Sequence, residues 1–449
     1  MPYRKRQHIC DRINGTLPDD ALAAIFARLP DTADVVRCAA TCTRWRRAVA
    51  TRAATLSHSL PPPGRFLPQL AVGLFHLEKH GPTARTRTAP GAPQPRFLAM
   101  ASGRRLLGCQ RTSMGSLFRG VDGAAVFDFS LPVASRNGRL VLELHPERRA
   151  DGGVTLCVCN PMTGDLVVLP VLEGVDKPAD YGCALLAGDD LRPQRCTTNF
   201  FLLLLVYNNH RHGFTALRCF SSDTGRWGAE ARSPFPASAT ELRHIGPAAV
   251  LHGAAFWPLD HGALGVRPAA DDPTDLQAAV VHLLPYGAAH YWPEKRLLGV
   301  SPDNRLFFIY FGILSGPFTL MAKITYFDIR GGDIRTGRKL SYYDVHGADG
   351  NRIDGQEGSS FEEMIRIVPQ MKMTSRDMTL KLRWVGEKSG MVLFTMGESS
   401  GHSGTFALSL REGTVEKLAH GEGHEWGSFI GFEMDWATYL ATIAANGRN

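Results

Sequence analysis

One string in the chain matches a pattern that performs nucleophilic catalysis. Residues 397–401, Gly-Glu-Ser-Ser-Gly, fit G-x-S-x-G, in which the central serine, here Ser399, needs a sharp turn from a strand into a helix. The flanking residues 391–396 and 405–410 are short and apolar, so both are predicted to be strands. Since this places Ser399 in a hairpin loop, we predict no catalytic residues, and a hydrolase remains only a distant alternative.

Histidine pairs raise the question of a metal. His76 and His80 are four residues apart, but the order His-x-Glu-x-His differs from the zinc-protease pattern. His420 and His424 share the spacing in a glycine-rich loop, where a solvated turn is the default interpretation and a metal the alternative. No phosphate-binding loop or dinucleotide fingerprint is present. We therefore predict no metal and no cofactor.

Length and charge limit the class of protein. The chain has 449 residues, 44% of them hydrophobic, which is enough for one small and one large domain. Residues 1–120 hold 19 Lys and Arg against 6 Asp and Glu, and the rest of the chain holds 31 against 37. The basic end could meet nucleic acid or an acidic protein, or be a solvated linker. Because its arginines are scattered and no nucleic-acid-reading motif accompanies them, we predict no nucleic-acid partner; duplex DNA binding stays an alternative.

Cysteine usage and hydropathy indicate the compartment. The nine cysteines are odd in number and contain no Cys-x-x-Cys pair. The N-terminus has no apolar signal core, and no stretch approaches the roughly 18 apolar residues of a membrane span. We therefore predict free thiols, no membrane partner and an intracellular protein, cytoplasmic and/or nuclear.

The elements that carry the clearest pattern form a helical hairpin near the N-terminus. Pro18 and the acids after it are typical of a helix start, and Pro30 ends the helix. The first helix carries an apolar stripe at i, i+3, i+4 and i+7, and a second apolar series continues to Trp45. About 35 residues cannot bury these side chains among themselves. The hairpin therefore docks on a partner or packs against the rest of its own chain.

This segment resembles the F-box. The family pattern is Leu-Pro, an acidic pair, Leu-x-x-Ile-Phe-x-x-Leu-Pro, a second helix of small apolar residues and Cys-x-x-Trp, found here in residues 17–45. The resemblance implies a three-helix unit that binds the SKP-type adaptor and, through it, a cullin. Ala39 and Ala40 stand where bulkier residues are common. The resemblance assigns adaptor binding to Leu17, Pro18, Leu22, Ile25, Phe26, Leu29, Val36, Cys42 and Trp45.

Beyond residue 97, short apolar runs bounded by turn residues replace the helix signals. Turns that lead into strands, such as Asn137-Gly138, alternate with strand–turn–strand patterns, such as the one around Gly164, 26 residues later. This spacing predicts an all-β domain, a β-propeller of six to eight blades, with a paired β-sandwich as the alternative. Most tryptophans are expected to pack between blades. They are Trp227, Trp257, Trp292, Trp384, Trp426 and Trp436.

The β-domain is also similar to the C-terminal domains of plant F-box proteins, through Asn160-Pro161-Met162-Thr163-Gly164 followed by Leu169-Pro170. The predicted organisation is a basic tail (1–12), an F-box (13–56), a Pro/Arg-rich linker that could include the first propeller strand (57–96), and the β-domain (97–449), with a loop insertion at 345–378.

Together these features predict a non-catalytic, substrate-recognition subunit of an SCF-type ubiquitin ligase. The F-box would bind the adaptor, and loops of the β-domain would bind an unknown protein target. The alternative is an F-box scaffold that binds the adaptor without target turnover.

Overall fold

The fold was analysed in a computed structural model. It describes residues 17–29, 32–53, 55–56, 65–77, 93–108, 111–118, 124–144, 153–172, 181–191, 200–209, 214–233, 245–259, 262–269, 275–282, 296–314, 319–327, 360–367, 380–397, 403–420, 426 and 428–446.

Six antiparallel sheets form the C-terminal domain, five with four strands and one with five. In chain order the strands are β1 (Ala71–Leu77), β2 (Arg96–Ala99), β3 (Arg111–Ser113), β4 (Leu131–Arg136), β5 (Arg139–Glu143), β6 (Leu156–Cys159), β7 (Leu166–Val168), β8 (Tyr181–Ala187), β9 (Phe201–Asn209), β10 (Phe214–Ser221), β11 (Arg226–Trp227), β12 (Ala231–Arg232), β13 (Ala249–Leu251), β14 (Ala254–Leu259), β15 (Gly262–Pro268), β16 (Leu276–His282), β17 (Arg296–Val300), β18 (Leu306–Leu314), β19 (Thr319–Phe327), β20 (Ser360–Ile367), β21 (Leu380–Val385), β22 (Met391–Met396), β23 (Gly404–Ser409), β24 (Val415–His420) and β25 (Ser428–Glu433).

Each sheet is one blade of a six-blade propeller. Blade 1 combines β25 with β1–β3, and blades 2 to 6 are β4–β7, β8–β12, β13–β16, β17–β20 and β21–β24. The innermost strands β25, β4, β8, β13, β17 and β21 follow one another around the ring. The ring closes because β25, the last strand of the chain, pairs with β1 in the antiparallel register Phe75↔Ile430. The propeller prediction is confirmed, and the paired sandwich is excluded.

Turn chemistry explains the tight hairpins between the two innermost strands of several blades. Asn137 and Gly138 both have positive φ, 49° and 72°, between β4 and β5. His252 and Gly253 repeat this at 50° and 72° between β13 and β14. Two successive left-handed residues give a hairpin turn whose twist matches that of the strands. The turn signals of the sequence therefore mark true blade hairpins.

The core of the propeller lies between the blades. Six clusters of buried apolar side chains each join two adjacent blades, so every blade packs on both of its faces. Trp257 is fully buried between blades 3 and 4, and Trp384 and Trp426 are buried between blades 6 and 1. Trp227 packs edge-to-face on Phe220 within blade 3. Trp292 lies outside the described residues.

Helices lie at both ends of the described chain and beside blade 1. The α-helices are α1 (Asp19–Phe26), α2 (Thr32–Thr41), α3 (Thr43–Thr51), α4 (Ala101–Leu107), α5 (Met114–Leu117) and α6 (Trp436–Asn446). We call α1–α3 the helical unit. The final helix α6 follows β25 directly and packs against α2 and α3. None of the described helices is long and apolar enough to cross a membrane.

Two segments proved to contain strands. Strand β1 lies within 57–96, the linker for which a first propeller strand was allowed, and it is the second strand of blade 1. Strand β20 lies within 345–378, the predicted insertion, but its eight residues pair with β19 as the outer strand of blade 5. Glycines and acids that precede this strand hid it in the sequence.

Candidate adaptor-docking surface and propeller channel

The helical unit has a small core of its own. Leu22 and Phe26 on α1 are 2% and 1% exposed, and they pack with apolar residues of α2 and α3. Trp45 lies edge-to-face on Phe26, with 5.5 Å between ring centroids. At the start of α3, the Cys42 sulfur accepts a hydrogen bond from the Trp45 backbone N–H at 3.5 Å. Apolar residues spaced along three short helices therefore meet in one shared interior.

Apolar side chains just before α1 and near its end are exposed outside this core. Ile25 is 47% exposed and Leu17 is 38% exposed, and Pro18 between them in sequence is also exposed. Large apolar side chains exposed together are a feature of protein-binding surfaces. We call Leu17, Pro18 and Ile25 the apolar edge of the helical unit.

The nine residues predicted to bind an adaptor therefore separate into groups. Leu22 and Phe26 lie in the core of the helical unit, whereas Ile25 on the same helix is exposed, so the adaptor-binding role of these residues stays a prediction. Leu29, Cys42 and Trp45 are half-buried at the margin. The side chain of Val36 is outside the described part of the chain.

Two arginines at the ends of the third helix hold the start of the first. Arg44 donates to the backbone carbonyl of Leu17 and pairs with Asp19 at 3.4 Å. About two turns further on, directly after α3 ends, Arg52 donates to the carboxylate of Asp20. Exposed ion pairs contribute little free energy. Their effect here is to fix the position of the chain at Leu17, beside the apolar edge.

A second feature is the narrow channel along the propeller axis. It is lined by the innermost strands, among them β4 and β25, and by small side chains such as Ala134 and Ala184. Arg136 lies at its end, where β4 finishes. Because the neighbouring strands also finish there, charged groups from separate blades meet at one place.

Arg136 binds two carboxylates from different blades. Its Nη2 is 2.7 Å from Asp190 Oδ1 in blade 3, and its Nε is 2.7 Å from Glu387 Oε2 in blade 6. Glu387 also accepts the backbone N–H of Val250 in blade 4 at 2.7 Å. Although burial opposes the charge on Arg136, Asp190 and Glu387 outweigh it and raise the pKa of the guanidinium. It stays protonated at any ordinary pH.

Glu433 completes this cluster from blade 1. It is fully buried and accepts the backbone N–H groups of Lys388 and Ser389 at 3.2 and 3.0 Å. Burial, and then the nearby Glu387, raise the pKa of the Glu433 carboxyl. We call Arg136, Asp190, Glu387 and Glu433 the axial cluster. It bridges blades 1, 2, 3, 4 and 6, and sequence reasoning missed it because its members are far apart in the chain.

His76 proves to be a core residue. It is 3% exposed and stacks on Trp426 with 3.8 Å between ring centroids. Burial, followed by the charges of Arg111 and Arg96, lowers the pKa of His76 to about 3. The imidazole is therefore neutral. Glu78, His80 and His424 lie outside the described residues.

Other sites considered in the sequence gain no support. Strands β22 and β23 pair as an antiparallel hairpin, so the connection that contains Ser399 joins two strands, as predicted. Residues 398–402 are outside the described residues. Within the described part of the chain, no group of three His, Cys, Asp or Glu side chains could hold a metal ion. Its six cysteines are free thiols.

The Asn-Pro-Met-Thr-Gly string forms a turn between β6 and β7. The Asn160 side chain accepts the backbone N–H of Met162 at 2.9 Å, and Gly164 has a positive φ of 84°. Asparagine and glycine are both required by this geometry. The string therefore has a structural role in blade 2.

Residues 15–54 match the F-box-like family. The chain thus has an F-box-like domain followed by a six-blade propeller arrangement. No curated protein sequence matches the chain.

Solved structures resemble it only remotely. A functionally unknown protein from Desulfotomaculum acetoxidans is 12% identical, with 81% of this chain and 100% of that chain covered and a TM-score of 0.35. Hydrazine synthase of Kuenenia stuttgartiensis is 8% identical, with 82% and 47% covered and a TM-score of 0.35. An α-L-arabinanase of Penicillium chrysogenum complexed with arabinobiose is 13% identical, with 69% and 83% covered and a TM-score of 0.30. Likenesses at this level carry no functional argument.

Proposed function

We propose that the chain is a substrate-recognition subunit of an SCF-type ubiquitin ligase. The single observation that carries this proposal is the apolar edge of an F-box-like unit, where Leu17 and Ile25 are exposed while Leu22 and Phe26 fill the core. The edge docks on a SKP-type adaptor, which links the chain to a cullin. The chain performs no bond chemistry; it raises the concentration of its target near the ubiquitin carrier.

The target binds the propeller face that points away from the helical unit. The inner strands end on one side at the axial cluster, and α6 leaves β25 on that same side to reach α3. Adaptor and target would compete for space there. The opposite side carries the connections into the inner strands, and loops on a rigid scaffold are where recognition is usually placed.

Two finer features accompany this proposal. The turn at Asn160 supports a relation to the β-domains of plant F-box proteins, since the string is intact and forms a blade turn. The role in a ligase implies residence in the cytosol and/or the nucleus. The alternative, an F-box scaffold without target turnover, shares the adaptor contact and lacks the cullin-dependent loss of a target.

The test is co-purification of the full chain with a SKP-type adaptor, using the variants Ile25→Asp and Ala24→Asp. Both residues are exposed on α1, so the two variants add the same charge one position apart. We expect Ile25→Asp to lose the adaptor and Ala24→Asp to retain it. A wild-type chain, folded by circular dichroism, that does not bind adaptor would overturn the proposal, and equal binding by both variants would overturn the role of the apolar edge. Recovery of cullin with the complex then separates ligase from scaffold.

A further inference from the structure

The core of the helical unit contains a side chain from the opposite end of the chain. Leu440 of α6 is 1% exposed and lies in the same buried cluster as Leu22 and Phe26 of α1. Trp436 and Ala441, also on α6, pack against this cluster. The first helices and the last helix of the described chain thus share one interior.

Helix α6 is also fixed to the propeller. Asp435 caps it by accepting the backbone N–H of Thr438 at 2.8 Å. The hairpin turn at Gly138 lies directly against Asp435, since a Cβ placed on this glycine would come within 2.6 Å of its carboxylate. On the next turn, Tyr439 packs against the apolar cluster between blades 1 and 2. The helix therefore has one side on the propeller and another on the helical unit.

The residues that precede blade 1 are anchored separately. Phe66 packs with the apolar cluster of blades 5 and 6, and the Leu67 backbone N–H donates to the Lys388 carbonyl at 2.9 Å. These contacts attach residues 66 and 67 to the propeller, and they do not involve the helical unit. A unit of about 40 residues is too small to bury a stable core by itself. In this chain α6 supplies the missing apolar surface.

We propose that α6 is the fourth helix of the adaptor-docking unit and sets the orientation of that unit relative to the propeller. The adaptor-binding role of the unit rests on the proposed function, but the packing of α6 and the orientation that it sets do not depend on that function. A target held on the propeller would then lie at a fixed distance from the adaptor. Leu440 is a positioning residue in this arrangement, since its side chain lies inside and the apolar edge lies outside.

The first test compares Leu440→Asp with Thr442→Ala in the full chain. Thr442 is on the same helix, and its hydroxyl donates a hydrogen bond to the Thr438 carbonyl at 2.7 Å. Hydrogen exchange should show at least 10-fold faster exchange in α1 and α3 of Leu440→Asp, with the strands of blades 3 to 5 unchanged. Adaptor affinity should fall at least 10-fold in Leu440→Asp and less than 2-fold in Thr442→Ala. Unchanged exchange in α1 and α3 would overturn the proposal.

The orientation of the helical unit relative to the propeller is tested by a distance measurement between the two, which loss of packing within the unit does not by itself change. Spin labels on non-natural amino acids at Arg47 in α3 and Arg226 in blade 3, both exposed, should give one narrow distance distribution. The milder Leu440→Ala, which retains the helix, should broaden it. An equally narrow distribution in that variant would refute the positioning role. If the wild-type chain fails to bind adaptor, the proposed function fails, while exchange and distance still decide this inference.

Discussion

Arg136 and Glu387 are 251 residues apart in sequence, yet the guanidinium Nε and the carboxylate Oε2 lie 2.7 Å apart at the end of the propeller channel. They join blade 2 to blade 6, and both side chains are almost fully buried. A buried charge without its partner is far more costly than the intact pair is favourable. This contact is therefore a point where one substitution affects several blades.

Arg136→Ala should destabilise the propeller by roughly 3–5 kcal/mol, because it leaves two buried carboxylates, Asp190 and Glu387, unpaired. Urea unfolding followed by tryptophan fluorescence measures the change. Arg305→Ala is the matched control: its partner Asp303 is half exposed, so a loss of at most about 1 kcal/mol is expected. Equal losses of unfolding free energy in the two variants would show that the axial cluster does not stabilise the propeller more than an exposed ion pair does.

His76 should make stability depend on acid pH. Its pKa is about 3 in the folded chain and about 6.5 when unfolded, so the unfolded state binds more protons between these values. The contribution of His76 to the free energy of unfolding is therefore fully present above pH 6.5, and it declines as pH falls toward 3, by up to about 1.4 kcal/mol per pH unit. His76→Phe keeps a ring against Trp426 and should lack this component. The check is the wild-type minus variant difference in unfolding free energy from pH 7 to 4; a flat difference would contradict it.

Gly431→Ala should loosen the closing strand. A Cβ at this position would lie 2.2 Å from the ring of Trp384, which packs against β25. Overpacking of this kind costs about 1–3 kcal/mol. Gly246→Ala, whose Cβ would meet only the Pro258 side chain at 3.3 Å, is the control. Thermal unfolding should give a clearly lower midpoint for the first variant alone.

Residues of the helical unit should separate by role. Phe26→Ala removes a buried ring and should destabilise the unit by about 3–5 kcal/mol. Ile25→Ala, at an exposed position, should change the free energy of unfolding by less than about 0.5 kcal/mol and should still lower the affinity for the adaptor. The two variants are distinguished by measuring hydrogen exchange in α3 and the affinity for the adaptor in each of them. Loss of protection in Ile25→Ala would place that side chain inside.

Local signals predicted much of the fold. Asn137-Gly138 and the similar turns specify hairpins through backbone conformation, a property of two adjacent residues, and their spacing indicated a propeller. The outer strand of blade 5, β20, was not predicted, because its surroundings carry loop composition. Helix α6 was missed, although Asp435 as a cap and the spacing of Trp436, Tyr439 and Leu440 are a recognisable helix start.

The site was predictable only in part. The F-box-like pattern located α1 to α3, but which of its apolar residues face outward depends on what covers the other side. Leu440 provides that cover from more than 380 positions away, and Arg136 meets Glu387 across a gap of 251 positions. The hydrophobic periodicity of a short segment cannot reveal which distant residues will cover it.

The pairing of the last strand with the first blade sets an order for events on the ribosome. Residues 17–51 are made early, but β25 and α6 follow only after about 380 more residues, a delay of roughly 20–80 s at 5–20 residues per second. During that interval the nascent chain presents Leu22, Phe26 and the open faces of blades 1 and 6 without their final neighbours. Ring closure and completion of the helical unit then occur together, once residues 428–446 have been made, so a chain released before them would lack both.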